Sequence, residues 1–187
     1  MTDITQDKTE NKTQAQQDYE AGQDFLNNKD MSQAANAFHN ALVGFEQEKN
    51  EIGIANASDK LGDICALHND IVRSLEHYDR AYAICEKNSD RFSLFSIERK
   101  KAQIFHKAKE YDKAIKMYLD VLDEFSALVN PQGSVDTLET LAELYLQVGD
   151  KSKAADSFRM AASIHNNFKH KKHAAEFIKK AEAAEQA

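Results

Sequence analysis

The chain has no tryptophan, one proline, six glycines and two cysteines among its 187 residues. Tight hairpins and interrupted strands need more proline and glycine than this, so the composition favours long helices. Two cysteines are too few for a disulfide framework. Because Cys65 and Cys85 lie at apolar positions of helical segments, we expect buried, reduced thiols rather than a bridge or a redox pair.

Long apolar runs are also missing from the sequence. No stretch approaches the ~20 apolar residues that a membrane-spanning helix needs. The first 14 residues are polar and contain no apolar segment of the kind found in secretory signals. We therefore expect a soluble, cytoplasmic protein with a disordered polar tail at residues 1–14.

Positive charge is in the minority, with 24 Lys and Arg against 31 Asp and Glu and a net charge of −7. This balance opposes general binding to phosphate backbones, so no nucleic-acid partner is expected. The short basic run at residues 165–173 is typical of a solvated face. It includes His165, His170 and His173, but neighbouring ammonium groups disfavour a cation, and no metal site is expected there.

Motifs of the common catalytic sites do not occur in the sequence. It contains no glycine-rich phosphate loop, no G-x-S-x-G and no H-E-x-x-H. The apolar positions of the two cysteines disfavour a reactive thiolate. We expect no catalytic residue, no cofactor and no enzymatic activity.

The sequence does contain a repeat of 40 residues. Four columns recur at this spacing: Gly22, Gly62, Ala102 and Ala142; Ala34, Ser74, Ala114 and Ala154; Phe38, Tyr78, Tyr118 and Phe158; and Ala41, Ala81, Val121 and Ala161. A repeat of this length marks a unit that buries its apolar face by stacking on copies of itself. Apolar residues within each unit follow two stripes at helical spacing, which predicts two helices per unit.

Polar residues at the ends of these stripes predict helix starts. An acidic column precedes the second helix of each unit, where carboxylates accept hydrogen bonds from free amides: Asp30, Asp70, Glu110 and Asp150. The predicted N-caps of first helices are Asn50, Asp90 and Ser134, the last of these after the break at Pro131. Inside the helices, Gly22 and Gly62 are predicted to lie against the rings of Phe38 and Tyr78.

Together these patterns predict an all-α, right-handed α-solenoid covering residues 15–187. Its four helix pairs are expected at about residues 15–54, 55–94, 95–134 and 135–168, with a capping helix at about 171–186. The third unit has Glu98 and Lys101 where the fourth has Leu138 and Leu141. This difference predicts looser packing in the third unit and a less regular stack between the second and third.

The columns resemble the tetratricopeptide repeat (TPR), most closely in the fourth unit with Leu141, Ala142, Tyr145, Ala154, Phe158 and Ala161. The 40-residue spacing exceeds the common 34 residues and is similar to a long-repeat subgroup found in bacterial regulators and cell-polarity adaptors. The resemblance implies a protein-interaction scaffold or adaptor that captures a peptide or helix in a concave groove lined by the first helices.

Groove residues also follow from the resemblance. They are Tyr19, Gln23, Asn27, Asp59, Asp63, Arg99, Lys100, Gln103, His106, Lys107, Glu139 and Glu143. One hypothesis is that Arg99, Lys100 and Lys107 meet an acidic segment of the partner. The alternative is an internal ladder in which Arg99 lies between Asp63 and Glu139. Because acidic residues occupy the positions of the carboxylate clamp of co-chaperones, no binding of an EEVD-type tail is expected.

Two other functions remain open at this point. A stack with a poorly capped end adds a copy of itself, which would make the protein a self-assembling homo-oligomer. The array would also serve as a regulatory subunit that controls an enzyme or a transcription factor. The sequence names neither the partner nor the pathway.

Overall fold

The computed structural model describes residues 12–186, so most of the predicted tail, residues 1–11, lies outside the described part. Within it all regular structure is helical: α1 (Gln14–Asn27), α2 (Met31–Glu48), α3 (Glu51–Leu67), α4 (Ile71–Lys87), α5 (Arg91–Lys107), α6 (Tyr111–Ala127), α7 (Pro131–Gln147), α8 (Lys151–Asn167) and α9 (Lys171–Gln186). Each first helix packs on the helix that follows it, and α9 packs on α8. This confirms the predicted all-α fold of four helix pairs and a last helix.

The N-terminal end of the described part is capped. The Thr13 side chain accepts a hydrogen bond from the Gln16 amide, and the Gln16 side chain accepts one from the Thr13 amide. Helix α1 therefore begins at Gln14, one residue before the predicted start of the array. The predicted limits of the individual repeats stay predictions. Among residues 12–186, no helix combines the length and the apolar character needed to cross a membrane.

The chain divides into two compact units, one ending at Ser89 with α1–α4 and one beginning at Asp90 with α5–α9. The boundary falls between the second and third predicted repeats, where the sequence predicts the least regular stack. Leu138 and Leu141 of the fourth repeat are 2% and 1% exposed. Glu98 and Lys101, at the equivalent positions of the third repeat, are only partly buried.

A 20-residue module underlies the 40-residue repeat, because helices α3 to α9 each begin 20 residues after the start of the preceding helix. The second residue before each start has a positive φ angle: Lys29, Lys49, Asn69, Ser89, Lys109, Val129, Gly149 and Lys169. At seven of these turns the next amide donates to a carbonyl five residues back, as Asp70 does to Cys65 over 2.9 Å. This left-handed turn ends one helix and leads directly into the next.

Short Asx side chains then cap the new helix. Asp30, Asn50, Asp70, Asp90, Asn130 and Asp150 each accept a hydrogen bond from the amide three residues on. The predicted caps Asn50 and Asp90 are confirmed. In the acidic column Glu110 differs, since it forms no side-chain cap.

The prediction for Ser134 is wrong. Asn130 caps α7, and Pro131 is the first residue of that helix, where proline loses no hydrogen bond because its missing N–H has no helical partner. Ser134 lies inside the first turn, and its hydroxyl donates to the Asn130 carbonyl over 3.1 Å.

Aromatic rings lie directly against glycine backbone within the helix pairs of the first unit. A methyl group on Gly22 would come within 2.8 Å of the Phe38 ring, and one on Gly62 within 2.6 Å of the Tyr78 ring. The prediction for both glycines is confirmed. The Gly62 carbonyl also accepts a buried hydrogen bond of 3.0 Å from the Ser74 hydroxyl, which explains a serine in the alanine column.

The same contact joins one pair to the next. A methyl group on Gly133 of α7 would come within 2.5 Å of the Phe125 ring of α6. In the first unit the Phe45 ring of α2 lies equally close to Gly53 of α3. Within each of the two units, the second helix of one pair therefore places a ring against the first helix of the following pair.

His165 of α8 occupies the position at which the first and third repeats have Phe45 and Phe125 and the second has Cys85. Its ring packs between His173 and Phe177 of α9, with centroid distances of 5.2 and 5.5 Å, and the His170 ring lies 5.8 Å away. Burial, followed by the neighbouring His173 and His170, lowers the pKa of His165. Within residues 12–186, no three His, Cys, Asp or Glu side chains are arranged to hold a metal ion.

The left-handed turns give a first prediction. Val129 is a β-branched residue with φ 52° and an 83% exposed side chain, so its backbone strain is not offset by packing. We expect Val129→Gly to raise the free energy of unfolding by about 1 kcal/mol, because relief of the strain exceeds the entropy cost of glycine. Urea unfolding followed by circular dichroism measures the change.

Gly149 supplies the matched control. It has φ 81°, and a methyl group there would meet nothing within 4 Å, so any loss comes from the backbone alone. Gly149→Val should lower the free energy of unfolding by about 1–2 kcal/mol. Equal and small effects of the two substitutions would show that the left-handed turns carry no strain.

The histidine cluster gives a second prediction, which concerns the dependence of stability on pH. Because the folded chain holds the pKa of His165 below its unfolded value of about 6.5, the stabilisation is present above that pH and is lost as the pH falls. His173 and His170 add to this loss, whereas Glu176 on α9 opposes it. We expect His165→Phe, which introduces the ring found in the first and third repeats, to flatten the dependence of stability on pH between 7.5 and 5.5.

The measurement is the urea midpoint of the wild type and of the variant at each pH. Parallel curves for the two proteins would contradict the role of His165. A steeper curve for the wild type below pH 6.5 supports it.

Candidate functional site

In the first unit, the predicted groove residues of α1 are tied to the core. The Tyr19 ring lies 5.3 Å from the Phe38 ring and 6.3 Å from the Phe45 ring. Burial and the nearby carboxylate of Asp59 raise the pKa of Tyr19, and the neighbouring Gln23 side chain partly offsets this rise. The structure therefore brings Tyr19, Gln23 and Asp59 together, with Tyr19 held in place by aromatic packing.

Asp63 of α3 is engaged within the same unit. The buried Tyr78 hydroxyl donates to Asp63 Oδ1 over 2.8 Å, and burial together with Asp63 raises the pKa of Tyr78. Lys60 Nζ lies 4.0 Å from a carboxylate oxygen of each of Asp59 and Asp63. The negative charge of this part of the predicted groove is therefore partly balanced internally.

In the second unit, Arg99 of α5 lies over two aromatic rings. Its guanidinium carbon is 5.2 Å from the Phe125 centroid and 5.8 Å from the Phe95 centroid. These two rings meet edge to face at 5.0 Å and 87°. Such cation–π contacts hold a guanidinium in one orientation while leaving its N–H edge available to acceptors.

Arg99 also lines a cavity of about 130 Å³ between three helices of this unit. Its lining residues are Arg99 and Gln103 of α5, Tyr118, Val121 and Phe125 of α6, and Gly133, Asp136, Thr137 and Thr140 of α7. The Thr137 and Thr140 hydroxyls donate to the carbonyls of Gly133 and Asp136 over 2.8 and 3.0 Å. Toward a ligand, these hydroxyl oxygens therefore act only as hydrogen-bond acceptors.

The predicted ladder from Arg99 to Glu139 is not formed. Glu139 pairs with Lys180 of α9. Within residues 90–186 no carboxylate lies within ion-pair distance of Arg99, whose contacts there are the rings of Phe95 and Phe125.

The remaining predicted groove residues do not line this cavity. The His106 ring packs on the Tyr118 ring at 6.3 Å. Asn27 is the last residue of α1, Lys100 and Lys107 lie on α5, and Glu143 lies on α7. Their roles in binding stay predictions.

The sequence interpretation missed the α6 and α7 residues of the cavity, above all Phe125, Asp136 and Thr137. A signal for Phe125 was present, because the pair Phe125 and Gly133 occurs two repeats earlier as Phe45 and Gly53. For Asp136 and Thr137 the sequence carries no comparable signal, since their position beside Arg99 depends on how α5 and α7 pack.

Solved structures with the same fold support the architecture. RapI in its apo form aligns with a TM-score of 0.76 and 16% identity over 93% of this chain and 65% of RapI. BtubC from P. vanneervenii aligns with a TM-score of 0.66 and 18% identity over 87% of this chain and 73% of its own. A Rap protein complexed with Competence and Sporulation Factor gives 0.62 and 18%, over 88% of this chain and 47% of the Rap protein.

Sequence identities this low show a shared TPR-like solenoid fold but not a shared function or partner. The chain spans about two thirds of RapI and about half of the other Rap protein. No curated protein has a sequence that matches it.

Two family models match the sequence itself. A tetratricopeptide repeat model matches residues 93–167, within the second unit. The model of the soluble NSF attachment proteins matches residues 2–129, more than half of the chain. The helix pairs are thus TPR-type repeats, and the chain belongs to the soluble NSF attachment protein (SNAP) family.

Proposed function

We propose that this chain is a non-enzymatic scaffold or adaptor that binds a peptide or helix of a partner protein along its first helices. The observation that carries this proposal is the cavity in the second unit. Two residues predicted for the groove, Arg99 and Gln103, line it from α5, and Thr137 and Thr140 line it from α7.

The chemistry of the lining favours recognition over reaction. Arg99 supplies hydrogen-bond donors, Gln103 supplies both donors and acceptors, and the Thr137 and Thr140 oxygens supply acceptors. Such groups fix the orientation of a bound segment through hydrogen bonds. None of them is paired with a general base in the manner of an activated nucleophile in the part of the chain described, residues 12–186.

The comparisons support a role in binding proteins. One Rap protein of similar fold was solved in complex with Competence and Sporulation Factor, and the SNAP family is named for attachment to NSF. We infer in addition that the repeats form a long-repeat subgroup, which the regular 20-residue spacing of helix starts supports. A cytoplasmic location, a second copy of the chain as an additional partner and the absence of nucleic-acid binding also belong to the proposal.

Site-specific photocrosslinking in cells of the source organism tests the function. A photoreactive amino acid replaces Gln103, which lines the cavity, and in a control replaces Asp123, an exposed residue of α6 outside the lining. We expect the Gln103 position to give a discrete crosslinked product that contains another protein and the Asp123 position to give none.

Two results would contradict the proposal. One is the same set of products from both positions, which would indicate non-specific contact. The other is the absence of any product from Gln103 when the protein is folded and expressed at its normal level.

A further inference from the structure

The cavity between α5 and α7 has a chemistry that selects one type of partner group. Resting on the proposed function, we propose that it receives the carboxylate side chain of an Asp or Glu of the partner segment, with the Arg99 guanidinium as its anchor. Three observations carry this inference: the aromatic contacts of Arg99, the absence of an ion pair to Arg99 within residues 90–186, and the size of the cavity.

Aromatic contacts restrict the orientation of the Arg99 guanidinium before a ligand binds. Its guanidinium carbon lies 5.2 and 5.8 Å from the centroids of the Phe125 and Phe95 rings, so two aromatic rings flank the cation. Phe125 is 8% exposed and lies against Gly133, which prevents the ring from moving away. A guanidinium fixed in this way binds a carboxylate through two parallel N–H···O bonds with little further loss of side-chain freedom.

Arg99 forms no ion pair within residues 90–186, although Asp136 lines the same cavity. Neighbouring acidic residues of the second unit have other partners, since Glu124 accepts from Arg91 over 3.0 Å and Glu139 pairs with Lys180. A carboxylate that enters the cavity would therefore bind Arg99 without displacing another carboxylate of this unit from an ion pair.

The size of the cavity limits what enters it. A volume of about 130 Å³ accommodates a single side chain, whereas an α-helix with its side chains is about 10–12 Å across. The partner segment is thus expected to lie across the first helices and insert one acidic side chain between α5 and α7.

The carboxylate of Asp136 is expected to weaken the binding of an acidic side chain in the cavity. It lines the cavity from α7 and accepts a hydrogen bond of 2.7 Å from Gln132. Its negative charge opposes an incoming carboxylate, while it would favour a cationic or amide group. The inference therefore predicts opposite effects for the two charged residues of the cavity.

The test is an NMR titration of the full chain with two capped tripeptides, acetyl-Gly-Glu-Gly-amide and acetyl-Gly-Gln-Gly-amide. We follow the Arg99 side-chain N–H and the amides of Thr137 and Thr140. The Glu peptide should produce saturable shifts at these positions, and the Gln peptide should bind at least tenfold more weakly.

Variants separate a specific site from general electrostatics. Arg99→Gln should remove the shifts of the Thr137 and Thr140 amides, and Asp136→Asn should strengthen binding of the Glu peptide several-fold. Lys116→Gln is the matched control, since it removes one positive charge from an exposed position of α6 outside the cavity and should leave binding unchanged. Helical circular dichroism of each variant verifies folding.

Equal binding of the Glu and Gln peptides, or equal losses in Arg99→Gln and Lys116→Gln, would overturn the inference. Weaker binding in Asp136→Asn would overturn it as well, by indicating a cationic or amide ligand. None of these results contradicts the proposed scaffold function if Gln103 still crosslinks to a partner. Failure of crosslinking in the wild type would instead count against the function itself.

Discussion

The direct packing of aromatic rings on glycine backbone is the contact on which the rest of this structure depends. Within a pair it brings α3 and α4 together through Gly62 and Tyr78, and between pairs it brings α6 and α7 together through Phe125 and Gly133. A larger residue than glycine would hold these helices apart. The contact therefore determines how closely each helix approaches the next.

The same contact connects the fold to the candidate site. Phe125 packs with one part of its ring on Gly133 and lies under the guanidinium of Arg99. The ring is buried and fixed in place, so it supports the guanidinium of the exposed Arg99 at the edge of the cavity. A residue that sets the spacing of two repeats thus also orients the cation proposed to bind a partner.

Much of the fold was predictable from the sequence, because its periodicity is regular. Gly22 and Gly62 stand in one column and their rings in another, so the contacts between them followed from the 40-residue spacing. The 20-residue module was harder to see, since the left-handed positions hold residues such as Lys29 and Val129 rather than glycine. Ser134 was misassigned because an Asn-Pro start at Asn130 was interpreted as a break.

The candidate site was predictable only in part. Arg99 and Gln103 came from the column positions of the first helices, but Asp136 lies on another helix, and its distance from them is a property of packing. The pairing of Glu139 with Lys180 joins α7 to α9, and no repeat spacing relates these two residues. Pairings that depend on side-chain direction across helices were therefore beyond the sequence patterns.

The free energy of unfolding of Gly62→Ala tests the central role of these contacts most directly. Alanine stabilises an open position inside a helix by about 1 kcal/mol relative to glycine. Here the added methyl group would lie 2.6 Å from the ring of Tyr78, which is 2% exposed and cannot easily move. The account predicts a loss of about 1–3 kcal/mol from overpacking. An unchanged or increased stability would contradict it.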